Sequence, residues 1–386
     1  MDPQEQFCHN PGCPDRGQRG RGNICIDSRK EQRYRCSTCG RTFAATTATP
    51  FYRLRTATDV VTVVLTLLCH GCPLQAIVAA FGFDERTVAQ WQARAGEHCQ
   101  EVHEHLVQQG QVDLGHVQAD ELWVKMVGKR VWMAMALAVP SRLWLGGVIS
   151  LHRDGALIRA LVQQVRACAR SLAILVCVDG LASYVTAFLR VFRYPVRTGR
   201  RGRPRLVVES GLLIGQVIKR YARWRVVKVV HRVVRGTVQT IAQVLKATGG
   251  TVINTAYIER LNATFRSALA PLVRRGRVLA HNEAVLSAGM YLVGCAYNCC
   301  WAHDSLRLAA PEKAPRKWQE HTPAMAAGLT DHRWSLRELL LFKVPLPAWV
   351  APKCRRRPSN GCSLTFFMIV LNKQGDRAFP SPICSH

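Results

Sequence analysis

The stretch "VQADELW", residues 117–123, sets two adjacent carboxylates, Asp120 and Glu121, inside a run that otherwise reads as a β-strand. Strands seldom carry acids at mid-length, because Asp is a poor strand former and a buried carboxylate is costly to desolvate. Two more acids occupy places that ask for the same explanation. "AILVCVDGLASY" (173–184) is an apolar, strand-type run that ends at Asp179, where Gly180 turns the chain into a helix. The C-terminal tip of a buried strand is a usual place for a functional group in an α/β sheet. "NTAYIERLNATFRSAL" (254–269) reads as a capped helix whose apolar stripe is Ile258, Leu261, Phe265 and Leu269, with Glu259, Asn262 and Arg266 on a neighbouring face.

Three carboxylates in the order strand, strand, helix are able to converge on hard divalent cations, magnesium or manganese, which take oxygen ligands. Two such ions activate an attacking oxygen and stabilise a leaving oxygen in phosphodiester chemistry. Alternation along the strand turns Glu121 to the face opposite Asp120, so it is expected to be paired elsewhere and not to bind the cation.

Working outward, strand-like and helix-like runs alternate from about 115 to 310, the pattern of an α/β layer architecture. The formal net charge of +28 points to a polyanion as partner. An anionic membrane surface fits less well, since no basic amphipathic helix stands beside an apolar anchor. "MDPQEQFCHN" has no apolar signal core, so export is not indicated. The longest apolar region (131–150) is broken by Pro140, Ser141 and Arg142 and reads as two strands around a turn. Sixteen cysteines in a chain without an export signal argue for reduced thiols and metal ligands in an intracellular protein.

Residues 1–50 hold Cys8 and Cys13 in a CxxxxC knuckle and Cys36 and Cys39 in a CxxC knuckle, "YRCSTCGRTF". Two such pairs about twenty residues apart supply four thiolates for one tetrahedral zinc. Cys25 and His9 are alternative ligands, which leaves the set open. A module this small buries little surface, so the metal supplies much of its folding energy. The second CxxC, "CHGC" (69–72), falls between apolar helical runs and reads as packing.

Residues 54–108 are helical by pattern: a strongly apolar helix stopped by Gly71, a short helix from Pro73, a turn at Gly82, and a third helix capped by Asp84. That is the helix-turn-helix pattern, or an ordinary helical hairpin with a polar exterior. On the first reading Arg86, Thr87, Gln90 and Arg94 point outward to phosphates or base edges. A basic insert, "RTGRRGRPR" (197–205), places Arg200, Arg201, Arg203 and Arg205 on a Gly/Pro-constrained arm. It is either a minor-groove arm or a disordered basic loop touching phosphates; both bind DNA. "VIKRYARWRVVKVVHRVVRG" (217–236) extends the charge with interleaved Tyr221 and Trp224, and reads equally as a strand pair with one solvated face.

The segments "DELW" (120–123), "VDGLASY" (178–184) and "YIERLNATFR" (257–266), with "QRYRCSTCGRTF" (32–43) and "TPAMAAGLTDHRWSLRELL" (322–340), resemble the DDE transposases of bacterial insertion sequences, most closely the insertion-sequence-one-like group. The resemblance implies an α/β, ribonuclease-H-like catalytic domain over 115–310, preceded by a zinc ribbon over 1–50 and a helix-turn-helix over 54–108. Residues 311–386 are then a C-terminal extension, poorly packed from about 345, where no family counterpart continues. Carried over by position, it makes Asp120, Asp179 and Glu259 the catalytic, magnesium-binding triad, and gives Asn262 and Arg266 to positioning that helix or touching DNA. It implies a cytoplasmic, nucleoid-associated enzyme that binds double-stranded DNA at element ends and target, cleaves and transfers strands, and acts as a homo-oligomer on DNA, with no membrane partner. A DNA-binding regulator with a decayed catalytic domain, and a nuclease of the same fold that cuts without rejoining, are the alternatives.

Overall fold

A computed structural model describes residues 2–197, 199, 202–273, 278–310, 317–347 and 349. Arg200 and Arg201 of the basic insert, and almost all of the tail after about 345, lie outside the described residues.

The chain opens with a small antiparallel sheet, β1 (Ile24–Ser28), β2 (Arg33–Cys36) and β3 (Thr42–Ala44). Three helices follow: α1 (Thr58–Cys69), α2 (Leu74–Phe81) and α3 (Glu85–Leu106). Their boundaries obey the local chemistry. Gly82 ends α2 in the left-handed conformation (φ 69°), and the Asp84 side chain accepts a hydrogen bond from the Arg86 amide to start α3.

Next come β4 (His116–Met126), β5 (Lys129–Ala138) and β6 (Trp144–Ser150), then α4 (Gly155–Cys168), β7 (Leu175–Asp179) and α5 (Ala182–Val191). The apolar region 131–150 does fold as two strands around a turn. A hairpin of β8 (Arg193–Val196) and β9 (Arg205–Val208) closes the basic insert, whose described arginines Arg203 and Arg205 are exposed. After β10 (Leu213–Ala222) and β11 (Arg225–Arg235) the remainder is helical: α6 (Val238–Ala247), α7 (Ala256–Ala268), α8 (Glu283–Cys299), α9 (Pro323–Ala326) and α10 (Leu336–Leu341).

The main sheet has six strands in the order β11-β10-β7-β4-β5-β6. β4, β5 and β6 form an antiparallel meander; β7 and β10 run parallel to β4, and β11 returns antiparallel to β10. Helices cover both faces, so this is a mixed α/β fold. Their hydrophobic core is shared with the helices before the sheet: Val64 and Leu65 of α1 and Trp91 and Cys99 of α3 belong to one buried cluster with Val117, Trp144 and Phe265. The boundary expected near 110 is therefore not a packing boundary. Within the expected extension, Trp334, Leu339 and Leu340 are buried in the same cluster.

α8 is the central post. Glu283–Leu306 contains the one candidate membrane span among the described residues, but 78% of its apolar window is buried inside the protein. Close approach decides its glycines. A Cβ on Gly294 would lie 2.2 Å from the Trp144 ring, and one on Gly96 of α3 would lie 2.3 Å from the Ala288 backbone. His103 of α3 sits against Trp144 and bonds the Leu145 carbonyl at 3.2 Å; burial lowers its pKa to about 4, so it is a neutral core residue.

Candidate metal centres and the acidic site

Among the described residues two groups of side chains come close enough to share a metal ion. The first is Cys8, Cys13, Cys36 and Cys39, as the spacing predicts. Sγ of Cys8 lies 3.6 Å from that of Cys39, and Cys13 Sγ lies 3.9 Å from Cys36 Sγ. A tetrahedral zinc with bonds near 2.3 Å separates its sulfurs by about 3.8 Å, so the spacing fits zinc without rearrangement. The small core around them is Ile24, Tyr34 and Phe43 with three of the cysteines themselves. Little apolar surface is available there, so a metal held by the four thiols would add to the stability of the module. Burial raises the pKa of Cys8 and Cys13; burial also opposes ionisation of Cys39, but hydrogen bonds from Asn10 and the Arg41 backbone and the thiols beside it bring its pKa to about 7. Neither alternative ligand joins the group. Cys25 is exposed and turned to the Arg35 carbonyl, and His9 packs between Phe7 and Phe43.

The second group is Asp120, Glu121 and Asp179, whose carboxylate oxygens lie within 4.8 Å of one another. Parallel pairing of Ala119 with Val178 puts Asp120 beside Asp179 one step further along the two strands. Gln118 and Asp120, two residues apart, share the face that meets α7. Gln118 Oε1 accepts the amides of Tyr257 and Ile258, and its Nε2 donates to the Asn254 carbonyl. This buried glutamine therefore caps α7, whose own N-cap, Thr255, makes no side-chain cap bond. Asn262, one turn along α7 from Glu259, donates Nδ2 to Asp120 Oδ2 at 2.8 Å.

Glu121 does point away from Asp120's helix and is paired, accepting from the Arg153 guanidinium and, at 2.7 Å, from the Tyr184 hydroxyl. Yet its carboxylate, although buried, offers an oxygen within 4.8 Å of those of Asp120 and Asp179. Arg153 also lies 3.7 Å from Asp179 Oδ2. Glu259, expected to be in the group, stands slightly apart: Lys219 Nζ donates to it at 2.7 Å and the Thr255 hydroxyl at 3.0 Å. Its side chain is 48% exposed and that of Lys219 38%, so this pair is accessible to exchange.

Burial, and then the charges of Glu121 and Asp179, push the Asp120 carboxyl up to about 7. Burial also opposes ionisation of Glu259, but the hydrogen bonds from Lys219 and Thr255 outweigh it and hold its carboxyl below the ordinary value. A half-buried carboxylate kept this close to others is an arrangement that a cation relieves.

The expected DNA contacts divide. Arg86 and Gln90 are exposed on α3 and Thr87 is half-buried. Arg94 instead donates to the Tyr52 carbonyl, a bond that ties α3 to the preceding loop. Asn262 is 2% exposed and spent on Asp120, so it serves the acid and not a phosphate surface; Arg266 is half-buried. Arg153, Tyr184, Gln118 and Lys219 escaped the sequence reading. Gln118 lies in "VQADELW", Tyr184 in "VDGLASY" and Lys219 in the basic run 217–236, but no local pattern gave them these partners. No family model matches the chain, and no curated protein matches it.

Proposed function

We propose that the protein is a DNA transposase of the DDE type that cleaves and transfers strands at element ends, with Asp120, Asp179 and Glu259 as ligands for magnesium or manganese. The observation that carries this reading is the convergence of Asp120 and Asp179, from neighbouring parallel strands, with Glu259 of α7 held nearby by a lysine, in a chain of net charge +28. An antiparallel meander continued by parallel strands, with helices on both faces, supports a ribonuclease-H-like domain. The four-thiol module supports a zinc ribbon.

The donor set fits hard cations: oxygens only, partly exposed, with burial and the neighbouring carboxylates holding Asp120 up at about 7. Such ions, when bound, supply activation of an attacking oxygen and stabilisation of a leaving one. The chain's own residues do the positioning. Gln118 fixes the start of α7, Asn262 orients Asp120, and Lys219 neutralises Glu259 until a cation replaces it. Glu121, pinned by Arg153 and Tyr184, holds the arginine beside Asp179, where its positive charge faces an incoming phosphate. α2 and α3, with Arg86 and Gln90 outward, serve as the end-reading unit, and Arg203 and Arg205 add phosphate contacts. Action on DNA by an oligomer within the cytoplasm follows from this reading.

The test is a labelled duplex bearing the ends of the element that encodes the chain, incubated with magnesium. Asp120→Asn, Asp179→Asn and Glu259→Gln each abolish cleavage and joining while gel-shift binding persists. Full activity in the Asp179 or Glu259 variant refutes the assignment. Cleavage without joining by the wild-type chain favours the nuclease alternative.

A further inference from the structure

β10 and β11 do not end with the sheet. β7, the inner neighbour of β10, stops at Asp179 opposite Val217, so beyond that level the two strands continue as a free-standing ribbon. The pair closes at Ala222 and Arg225 around Arg223 (φ 46°) and Trp224 (φ 64°), both left-handed. A two-residue turn of this type normally takes Asn-Gly, which adopt positive φ with little strain. Here an arginine and the chain's most exposed tryptophan, 100% accessible, occupy it. The turn is worse as a turn for these residues, so their side chains are what need explaining.

Their surroundings have one chemistry. From Leu213 to Arg235 the sequence holds no acidic residue. Arg220, Arg223, Arg225 and Lys228 are exposed along the ribbon, and Tyr221 is 64% exposed. A bulge between Arg220 and Tyr221 leaves Val227 unpaired and re-aims the tip. The period of two places Val217, Lys219 and Tyr221 on one face. Val217 is the register partner of Asp179, and Lys219 reaches Glu259. One file therefore runs from the carboxylates through Lys219 to Tyr221, about 13 Å beyond the level of Asp179 at strand rise.

Aromatic faces spaced along a basic track are how proteins hold an unpaired nucleic-acid strand, bases stacked on the rings and phosphates on the cations. We infer that the β10–β11 ribbon is an arm for an unpaired strand, which stacks bases on Tyr221 and Trp224 and leads that strand to the acidic site. This rests on the DNA reading proposed above. The exposed valines Val226, Val227 and Val229 offer the rival occupant, a second copy of this chain, but the ribbon's uniform positive charge opposes self-pairing.

The full chain is titrated by fluorescence anisotropy against a labelled oligo-dT of about 15 nucleotides and against the same label in a duplex. The double variant Arg223→Asn/Trp224→Gly installs the preferred turn residues, so it removes the side chains while keeping the hairpin; Tyr221→Ala is the second probe. Each is expected to weaken strand binding by about five- to a hundredfold, with a much smaller effect on duplex and an undiminished melting temperature. Unchanged strand affinity in both variants overturns the proposal, as does equal loss on strand and duplex. A wild-type oligomer that these variants convert to monomer in sedimentation also overturns it, in favour of the second copy. Failure of the catalytic reading is separate: a wild-type chain inert with magnesium that still binds oligo-dT through Trp224 loses the nuclease chemistry and keeps the arm.

Discussion

Asp120→Asn should make the cation-free protein more stable while destroying its activity. Asp120 ionises near 7 in the fold against 3.8 as an ordinary aspartate. At about 1.4 kcal/mol per pH unit, and discounting for partial solvent access, the ionised carboxylate costs about 2–4 kcal/mol of folding stability above neutrality. The folded pKa is the higher one, so the sign is fixed. Below about 4 the residue is protonated in both states and costs nothing. Between about 4 and 7 the unfolded chain releases its proton first, stability falls, and the loss is complete above 7. An asparagine has no proton to lose, still accepts from Asn262 through its carbonyl, and turns an amide toward Glu121 and Asp179. Urea denaturation of metal-stripped protein at pH 5 and pH 8 measures the difference. The variant's advantage at pH 5 should be less than about half of that at pH 8, and magnesium should stabilise the wild type more than the variant. Equal stabilities at pH 8, with magnesium acting alike on both, would refute the cost assigned to burying Asp120 beside Glu121 and Asp179.

Two further outcomes follow from packing and from the thiols. Cys36→Ser with Cys39→Ser should remove about one zinc per chain, measured by elemental analysis, and unfold the first fifty residues while the sheet's far-ultraviolet signal persists; stoichiometric zinc in that variant excludes the ligand set. Gly294→Ala forces a methyl into the Trp144 ring and should cost about 1–3 kcal/mol in thermal or urea unfolding, with cation binding intact where the protein folds.

What the sequence made legible is what local patterning controls. Apolar runs marked β4, β5, β6 and β7, and the stripe Ile258, Leu261, Phe265 placed the buried side of α7 correctly. The CxxxxC and CxxC spacings marked four thiols that do converge. Alternation told the face of Glu121 but not that its carboxylate still comes within 4.8 Å of those of Asp120 and Asp179. Asn262 read as part of a polar row, whereas in three dimensions the row turns inward at Asp120. Lys219, Arg153 and Gln118 act on residues 32 to 139 positions away, and no local pattern announces such partners. The hairpin at Arg223 and Trp224 lacked a turn signal because its residues are poor turn formers. Its sequence suggested one solvated face; both faces are solvated beyond the end of β7.

The central claim is that Asp120 and Asp179 form a cation site completed by Glu259. Anomalous diffraction from crystals soaked in manganese tests it most directly. A peak is expected between Asp120 and Asp179, with Glu259 drawn in and Lys219 released from it. No peak at these carboxylates, or a peak held by Glu121 with the Lys219–Glu259 pair undisturbed, would contradict it.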